Sequence, residues 1–148
     1  DRLEDIIALL ADRYKLGIVT SRRRSHIYAT PRLAALKPYF KTTIAYEDTA
    51  DHKPRPDPLF AALDQIDVIP EEAVYVGDAH DDVIAAHGAG MKVICTPRPT
   101  TSKRTRRSTR STSSRRPYRS WKKIPYNIKP YIQLAKCLNS DIFILIRW

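Results

Sequence analysis

Cysteine is scarce in this sequence, and long apolar runs are missing from it. The 148 residues include only two cysteines, Cys95 and Cys137, which stand far apart and belong to no Cys-x-x-Cys or Cys/His cluster. This pattern argues against a disulfide scaffold and a structural zinc site, and it is typical of a protein of the reducing cytoplasm. No run approaches the ~18 apolar residues that a membrane span needs, so we expect no membrane partner.

An initiator methionine is also missing, because the sequence begins with Asp1 inside a pattern that is typical of a helix. We therefore expect the chain to be a fragment of a longer protein. Its length leaves room for one domain of ordinary size. The oligomeric state is not predicted by any feature of the sequence.

Acidic residues are almost missing from the last third of the chain. Residues 101–148 carry 13 Lys/Arg and a single acid, Asp141, whereas residues 1–100 carry 13 Lys/Arg and 15 Asp/Glu. The net charge of +10 therefore belongs to the last third. Residues 101–120 consist almost entirely of Ser, Thr, Lys and Arg, which have little apolar surface to bury. We expect a folded unit over residues 1–96 and an irregular, basic, low-complexity tail over residues 97–148.

Two interpretations of this tail remain open. Arg/Ser-rich segments with nearby aromatic residues resemble RNA-binding segments, so a non-catalytic chain that binds nucleic acid through the tail is one alternative. The other is that the abrupt change of composition after Thr96 reflects a shift of reading frame, because the basic segment contains one acid in 48 residues.

Apolar runs alternate with helical patterns through the first 96 residues. The runs predict four strands, and apolar residues at helical spacing predict four helices. The strands are expected at 15–20, 41–47, 71–78 and 92–96, and the helices at 2–14, 30–37, 59–66 and 81–90. Strands that alternate with helices in this way indicate an α/β fold with a doubly wound parallel sheet.

Polar residues follow three of the predicted strands. Thr20 and Ser21 follow the first strand, Lys53 lies in the proline-rich loop after the second, and Asp78 and Asp82 follow the third. In a parallel α/β sheet, ligands bind beyond the carboxyl ends of the strands. Hydroxyls and an ammonium suit phosphate oxygens, and carboxylates suit Mg²⁺ together with a phosphate. For the aspartates, the simpler alternative is that Asp78, Asp81 and Asp82 stabilise a helix N-terminus.

Three motifs on successive β/α units carry a family resemblance. They are GIVTS at residues 17–21, KPRPDPL at 53–59 and VYVGDAHDD at 74–82. In this order they resemble the haloacid dehalogenase-like phosphatases, and more closely the branch that contains phosphoglycolate phosphatase and related pyrophosphatases. The resemblance covers residues 1–96. It implies Mg²⁺-dependent hydrolysis of a small phosphorylated metabolite through an aspartyl-phosphate, with phosphoglycolate, pyrophosphate and sugar phosphates equally open as substrates.

The resemblance also implies roles for the residues that match its motifs. Thr20, with Ser21 and the backbone that follows, would bind the phosphoryl group. Lys53 would offset the charge of the nucleophile and the phosphate. Asp78 would bind Mg²⁺, and Asp82 would complete the metal site by orienting Lys53 or a metal-bound water.

The first motif of the family, an Asp-x-Asp sequence that supplies the nucleophile, does not occur in this chain. Without that nucleophile the covalent route is closed, and we expect the chain as given to be inactive. In the family, the strand that carries this motif lies at the centre of the sheet, so two apolar strand edges would be left unpaired here. The final apolar run, IFILIRW at residues 142–148, could form a strand and fill that position.

Overall fold

The computed structural model describes residues 2–95 and 143–147. These residues form helices α1 to α5 and strands β1 to β5, joined by short 3₁₀ turns and loops. In chain order the elements are α1 (Arg2–Arg13), β1 (Leu16–Val19), α2 (Arg24–Ile27), α3 (Pro31–Leu36), β2 (Phe40–Ile44), α4 (Asp57–Ile66), β3 (Ala73–Gly77), α5 (His80–Gly88), β4 (Lys92–Cys95) and β5 (Phe143–Arg147). Each helix and strand predicted for residues 1–96 is present, and the short helix α2 is an addition.

The five strands form one sheet in the order β2-β1-β5-β3-β4. β1 is parallel to β2, and β3 is parallel to β4. β5 lies between the two pairs and runs antiparallel to β1 and β3. The predicted α/β fold with parallel strands is confirmed for β1 to β4, whereas the antiparallel central strand differs from a fully parallel sheet.

The final apolar run supplies β5, so the prediction that it fills the centre of the sheet is confirmed. Leu145 lies opposite Gly17 on one side and opposite Tyr75 on the other. β5 thereby offers hydrogen-bonding partners to the inner edges of β1 and β3, which would otherwise face each other across a gap. The last part of the predicted tail, residues 143–147, thus belongs to the same sheet as the strands of residues 1–96. Residues 97–142 and residue 148 of the predicted irregular tail lie outside the described residues.

Helices cover both faces of the sheet because side chains alternate along β1. Leu16 and Ile18 pack with α1 and α3 in one buried cluster. Val19 points the other way and packs with residues of α4 and α5 in a second, larger cluster. Burial of each Leu or Ile in such clusters contributes about 2 kcal/mol, which offsets the entropy lost when the chain orders.

The carboxyl ends of the four parallel strands lie at one edge of the sheet. This follows because β1 and β3 each run antiparallel to β5 and hence parallel to each other. Thr20, Asp78 and the loop that contains Lys53 all follow strands that end at this edge. The topology therefore places the predicted site residues on the side where α/β proteins bind ligands.

The longest described helix, α1, has 12 residues. Among the described residues, none of the helices has the length and apolar character that crossing a membrane requires.

Candidate functional site

A buried ion pair lies at the centre of the candidate site. Nζ of Lys53 is 2.7 Å from Oδ1 of Asp82, and the two side chains are 6% and 2% exposed. Removing two charges from water is costly, and their mutual attraction offsets that cost only when both partners are present and well placed. Lys53 and Asp82, predicted to belong to one site, are therefore in direct contact.

The second carboxylate oxygen of Asp82 organises the start of α5. Oδ2 accepts hydrogen bonds from the backbone N–H groups of Asp78 and Ala79, at 3.2 and 3.0 Å. These donors lie where α5 begins, so the carboxylate also complements the positive end of the helix dipole. The simpler interpretation of the acidic cluster thus applies to Asp82, which supports the helix and the Lys53 ammonium at once. Asp81, its neighbour, is exposed.

Tyr75 joins the ion pair from inside the sheet, and the sequence analysis missed it. Its side chain is fully buried, and its hydroxyl lies 3.1 Å from Nζ of Lys53. The same hydroxyl lies 3.4 Å from the carbonyl oxygen of Val19 and 3.5 Å from Oδ1 of Asp82. Burial, followed by the charge of Asp82, raises the pKa of Tyr75 well above its usual value, so the phenol stays protonated. A tyrosine inside an apolar strand was the available signal, because a buried hydroxyl needs a partner.

Thr20 directly follows β1 and is buried, with 4% of its surface exposed. Its N–H donates to the carbonyl of Ile44 at 3.0 Å, and its Oγ1 accepts from the N–H of Arg22 at 3.1 Å. The hydroxyl therefore shapes the turn after β1 while keeping its own proton available to donate. Ser21, also predicted to bind phosphate, is exposed in this turn.

The loops after β1 and β2 are held together by Arg24. Its backbone N–H donates to Oε2 of Glu47 at 3.0 Å, and its guanidinium forms an ion pair with Asp48. The hydrogen bond from Arg24 lowers the pKa of Asp48 below its usual value. Within the same connection between β2 and α4, His52 stacks on Tyr46 with ring centroids 3.9 Å apart. The Arg24 contacts hold the start of this connection against the segment that follows Thr20, and the stacking links that start to the residue before Lys53.

Asp78 follows β3 directly and carries the predicted metal-binding role. Its Oδ1 is buried and accepts no hydrogen bond within the described part of the chain, although the residue makes other interactions. In residues 2–95 and 143–147, no three His, Cys, Asp or Glu side chains are grouped in a way that could hold a metal ion. Mg²⁺ is commonly held by one or two carboxylates together with waters and phosphate oxygens. The carboxylate of Asp78 fits that ion in donor type, while both oxygens of Asp82 already accept hydrogen bonds.

Gly77 makes the close approach of Asp82 possible, and we expect Gly77→Ala to disrupt the site. A Cβ at this position would lie 2.6 Å from Cβ and 2.8 Å from Oδ2 of Asp82. Overpacking of this kind costs about 2 kcal/mol, so the free energy of unfolding should fall by that amount in a urea titration. Gly88→Ala is the control, because a Cβ there would meet Pro56 at an ordinary 3.5 Å. Equal midpoints for the two variants would contradict the role of Gly77.

Comparison with known proteins gives consistent results. The family model described as haloacid dehalogenase-like hydrolase matches residues 2–96. The pyrophosphatase PpaX of Bacillus pumilus is 37% identical over 89 residues, which cover 60% of this chain and 41% of the relative. PpaX of Bacillus mycoides is 35% identical over 91 residues, or 62% of this chain and 42% of the relative. The chain thus spans about two fifths of the length of the curated relatives it matches.

Solved structures show the same likeness. A haloacid dehalogenase-superfamily hydrolase of Geobacter sulfurreducens is 30% identical with a TM-score of 0.58, and the match covers 63% of this chain and 44% of that one. CbbY of Rhodobacter sphaeroides, solved in complex with phosphate, is 31% identical with a TM-score of 0.59, and the match covers 68% of this chain and 47% of that one.

Proposed function

The chain belongs to the haloacid dehalogenase-like hydrolases, and we propose that its sheet edge is the phosphate- and Mg²⁺-binding part of a phosphohydrolase. The observation that carries this proposal is the buried ion pair between Lys53 and Asp82 at the carboxyl ends of the strands. A buried lysine held by a carboxylate is costly for a fold, and it is useful where a doubly charged phosphate must be neutralised.

Each residue has a definite task in this proposal. The Lys53 ammonium attracts the phosphate oxygens, and Asp82 keeps that ammonium in place from the protein side. The hydroxyl of Thr20 donates to a phosphate oxygen while its Oγ1 accepts from Arg22, and Ser21 adds a second hydroxyl. Asp78 binds Mg²⁺, which when bound neutralises part of the phosphate charge. Asp82 as a second metal ligand stays a prediction.

The ligand we propose is a small phosphate monoester or pyrophosphate. Its support is the likeness to the pyrophosphatase PpaX, which is 37% identical over the matched residues. The transfer step of this family, through an aspartyl-phosphate, needs a nucleophilic aspartate in an Asp-x-Asp sequence, and this chain contains none. We therefore propose that the chain binds phosphate without turning the ester over.

Calorimetric titration with inorganic phosphate in the presence of Mg²⁺ tests the proposal. We expect binding that requires Mg²⁺ and that weakens at least about tenfold in Lys53→Met, because a charge-assisted hydrogen bond to phosphate is lost. Lys41→Met is the matched control, since Lys41 is exposed on the edge strand β2 and its loss should leave affinity unchanged.

Lys53→Met leaves Asp82 buried without its cation and can therefore unfold, so a second variant tests the same proposal. Asp78→Asn keeps the shape of the side chain and removes its charge, so phosphate binding in the presence of Mg²⁺ should fall to the level that the wild type shows without Mg²⁺. Equal phosphate affinity in the wild type, folded Lys53→Met and Asp78→Asn would disprove the proposed function. Neither the RNA-binding alternative nor a cytoplasmic location gains support from the described residues, and both stay predictions from the sequence.

A further inference from the structure

Tyr75 lies in the buried strand β3, where packing alone does not require a hydroxyl group. The strand β3 is otherwise apolar or glycine, and each of its five residues is buried. A phenylalanine would fill the same space without adding a polar group that requires partners. The hydroxyl nevertheless lies within 3.5 Å of three polar atoms, which belong to Val19, Lys53 and Asp82.

The direction of each hydrogen bond follows from the chemistry of the partners. A lysine ammonium only donates, so the Tyr75 oxygen accepts from Nζ of Lys53. The phenol proton must then point to an acceptor, and the carbonyl oxygen of Val19 and Oδ1 of Asp82 are both within reach. A phenol keeps its proton at neutral pH, so the hydroxyl can accept from Lys53 and donate to one of these oxygens at the same time.

Two fixed contacts define the direction of an ammonium, whereas one leaves it free to rotate. Asp82 Oδ1 at 2.7 Å fixes the distance of Nζ from α5. The Tyr75 hydroxyl at 3.1 Å fixes its rotation about that contact. The ring itself lies further away, with its centroid 5.7 Å from Nζ, so the hydroxyl rather than the ring is the part of Tyr75 that contacts the ammonium.

The hydroxyl also connects Lys53 to the end of β1. The carbonyl of Val19 belongs to the same peptide unit as the N–H of Thr20. Tyr75 therefore touches the strand end that presents Thr20 and the ammonium of Lys53 at the same time.

We propose that Tyr75 is a positioning residue, whose hydroxyl orients the Lys53 ammonium relative to Thr20. The purpose of that orientation, contact with a phosphate, rests on the proposed function. The orientation itself does not, and it can be measured without any ligand.

The test uses the side-chain NH₃⁺ signal of Lys53 in ¹H–¹⁵N spectra of the full chain. Tyr75→Phe keeps the ring and removes the hydroxyl, so hydrogen exchange of the Lys53 ammonium should accelerate about tenfold, the effect of losing one hydrogen bond to a charged group. Tyr28→Phe is the matched control, because it removes a hydroxyl that lies 2.7 Å from Oγ1 of Thr43, away from Lys53. In Tyr28→Phe, hydrogen exchange of the Lys53 ammonium should be as slow as in the wild type.

The outcomes separate this proposal from the proposed function. Unchanged exchange in Tyr75→Phe, with a loss of stability no different from that of Tyr28→Phe, would reduce Tyr75 to a core residue and overturn the inference. Accelerated exchange supports it whether or not phosphate binds. Absence of phosphate binding to the wild type would overturn only the proposed function.

Discussion

Asp82→Ala is expected to lower the free energy of unfolding by about 4 kcal/mol, because it leaves the Lys53 ammonium buried without its carboxylate. Asp82 is 1% exposed and accepts from Lys53 and from two backbone N–H groups at the start of α5. The substitution therefore removes the partner of a buried charge and the acceptor of two helix-end donors. Urea unfolding followed by circular dichroism measures the loss.

Asp81→Ala is the matched control for this prediction. Asp81 is the preceding residue of the same helix turn and is exposed, so its replacement should change stability by less than about 0.5 kcal/mol. The double variant Lys53→Met with Asp82→Ala should be more stable than Asp82→Ala alone, since the buried charge is then gone as well. Equal losses for Asp81→Ala and Asp82→Ala, or no recovery in the double variant, would contradict a buried ion pair.

Leu145→Pro is expected to abolish cooperative folding, because it removes a backbone donor from the central strand of the sheet. Leu145 pairs with Gly17 of β1 and with Tyr75 of β3, so β5 is the element that joins the two halves of the sheet. Proline costs at least about 3 kcal/mol at such a position, and it also exposes strand edges that pair with other molecules. Thermal unfolding and size-exclusion chromatography should show a lost transition and aggregated protein.

Leu145→Ile is the control at the same position, since isoleucine keeps the N–H and favours strands. It should unfold cooperatively and elute as the wild type does. Identical unfolding curves for the proline and isoleucine variants would mean that β5 does not hold the sheet together.

The sequence predicts the order of the helices and strands in residues 1–96, and it predicts that Lys53 and Asp82 belong to one site. Apolar runs of four to six residues mark buried strands, and the motif order placed Lys53 and Asp82 at the same edge. The structure shows the two side chains in an ion pair at that edge. Asp82 also showed that helix capping and charge pairing are compatible roles for one carboxylate, because each of its oxygens serves one of them.

Other features depend on tertiary contacts that a linear pattern does not encode. An apolar run such as that of β5 carries no information about direction, because strands can pair in either orientation. The partners of the Tyr75 hydroxyl, Lys53 and Val19, lie 22 and 56 residues away along the chain. The helix α2 lies in a basic segment in which only Ile27 is buried, which is too little for a periodic signal.

Paramagnetic mapping with Mn²⁺ as a substitute for Mg²⁺ tests most directly whether this sheet edge is a site for a metal and a phosphate. The account predicts that Mn²⁺ with phosphate broadens amide signals around Asp78, Thr20 and Lys53, and that Asp78→Asn removes the effect. Broadening that survives in Asp78→Asn, or that centres on other carboxylates such as Asp51 and Asp57, which form ion pairs with Arg55, would contradict it.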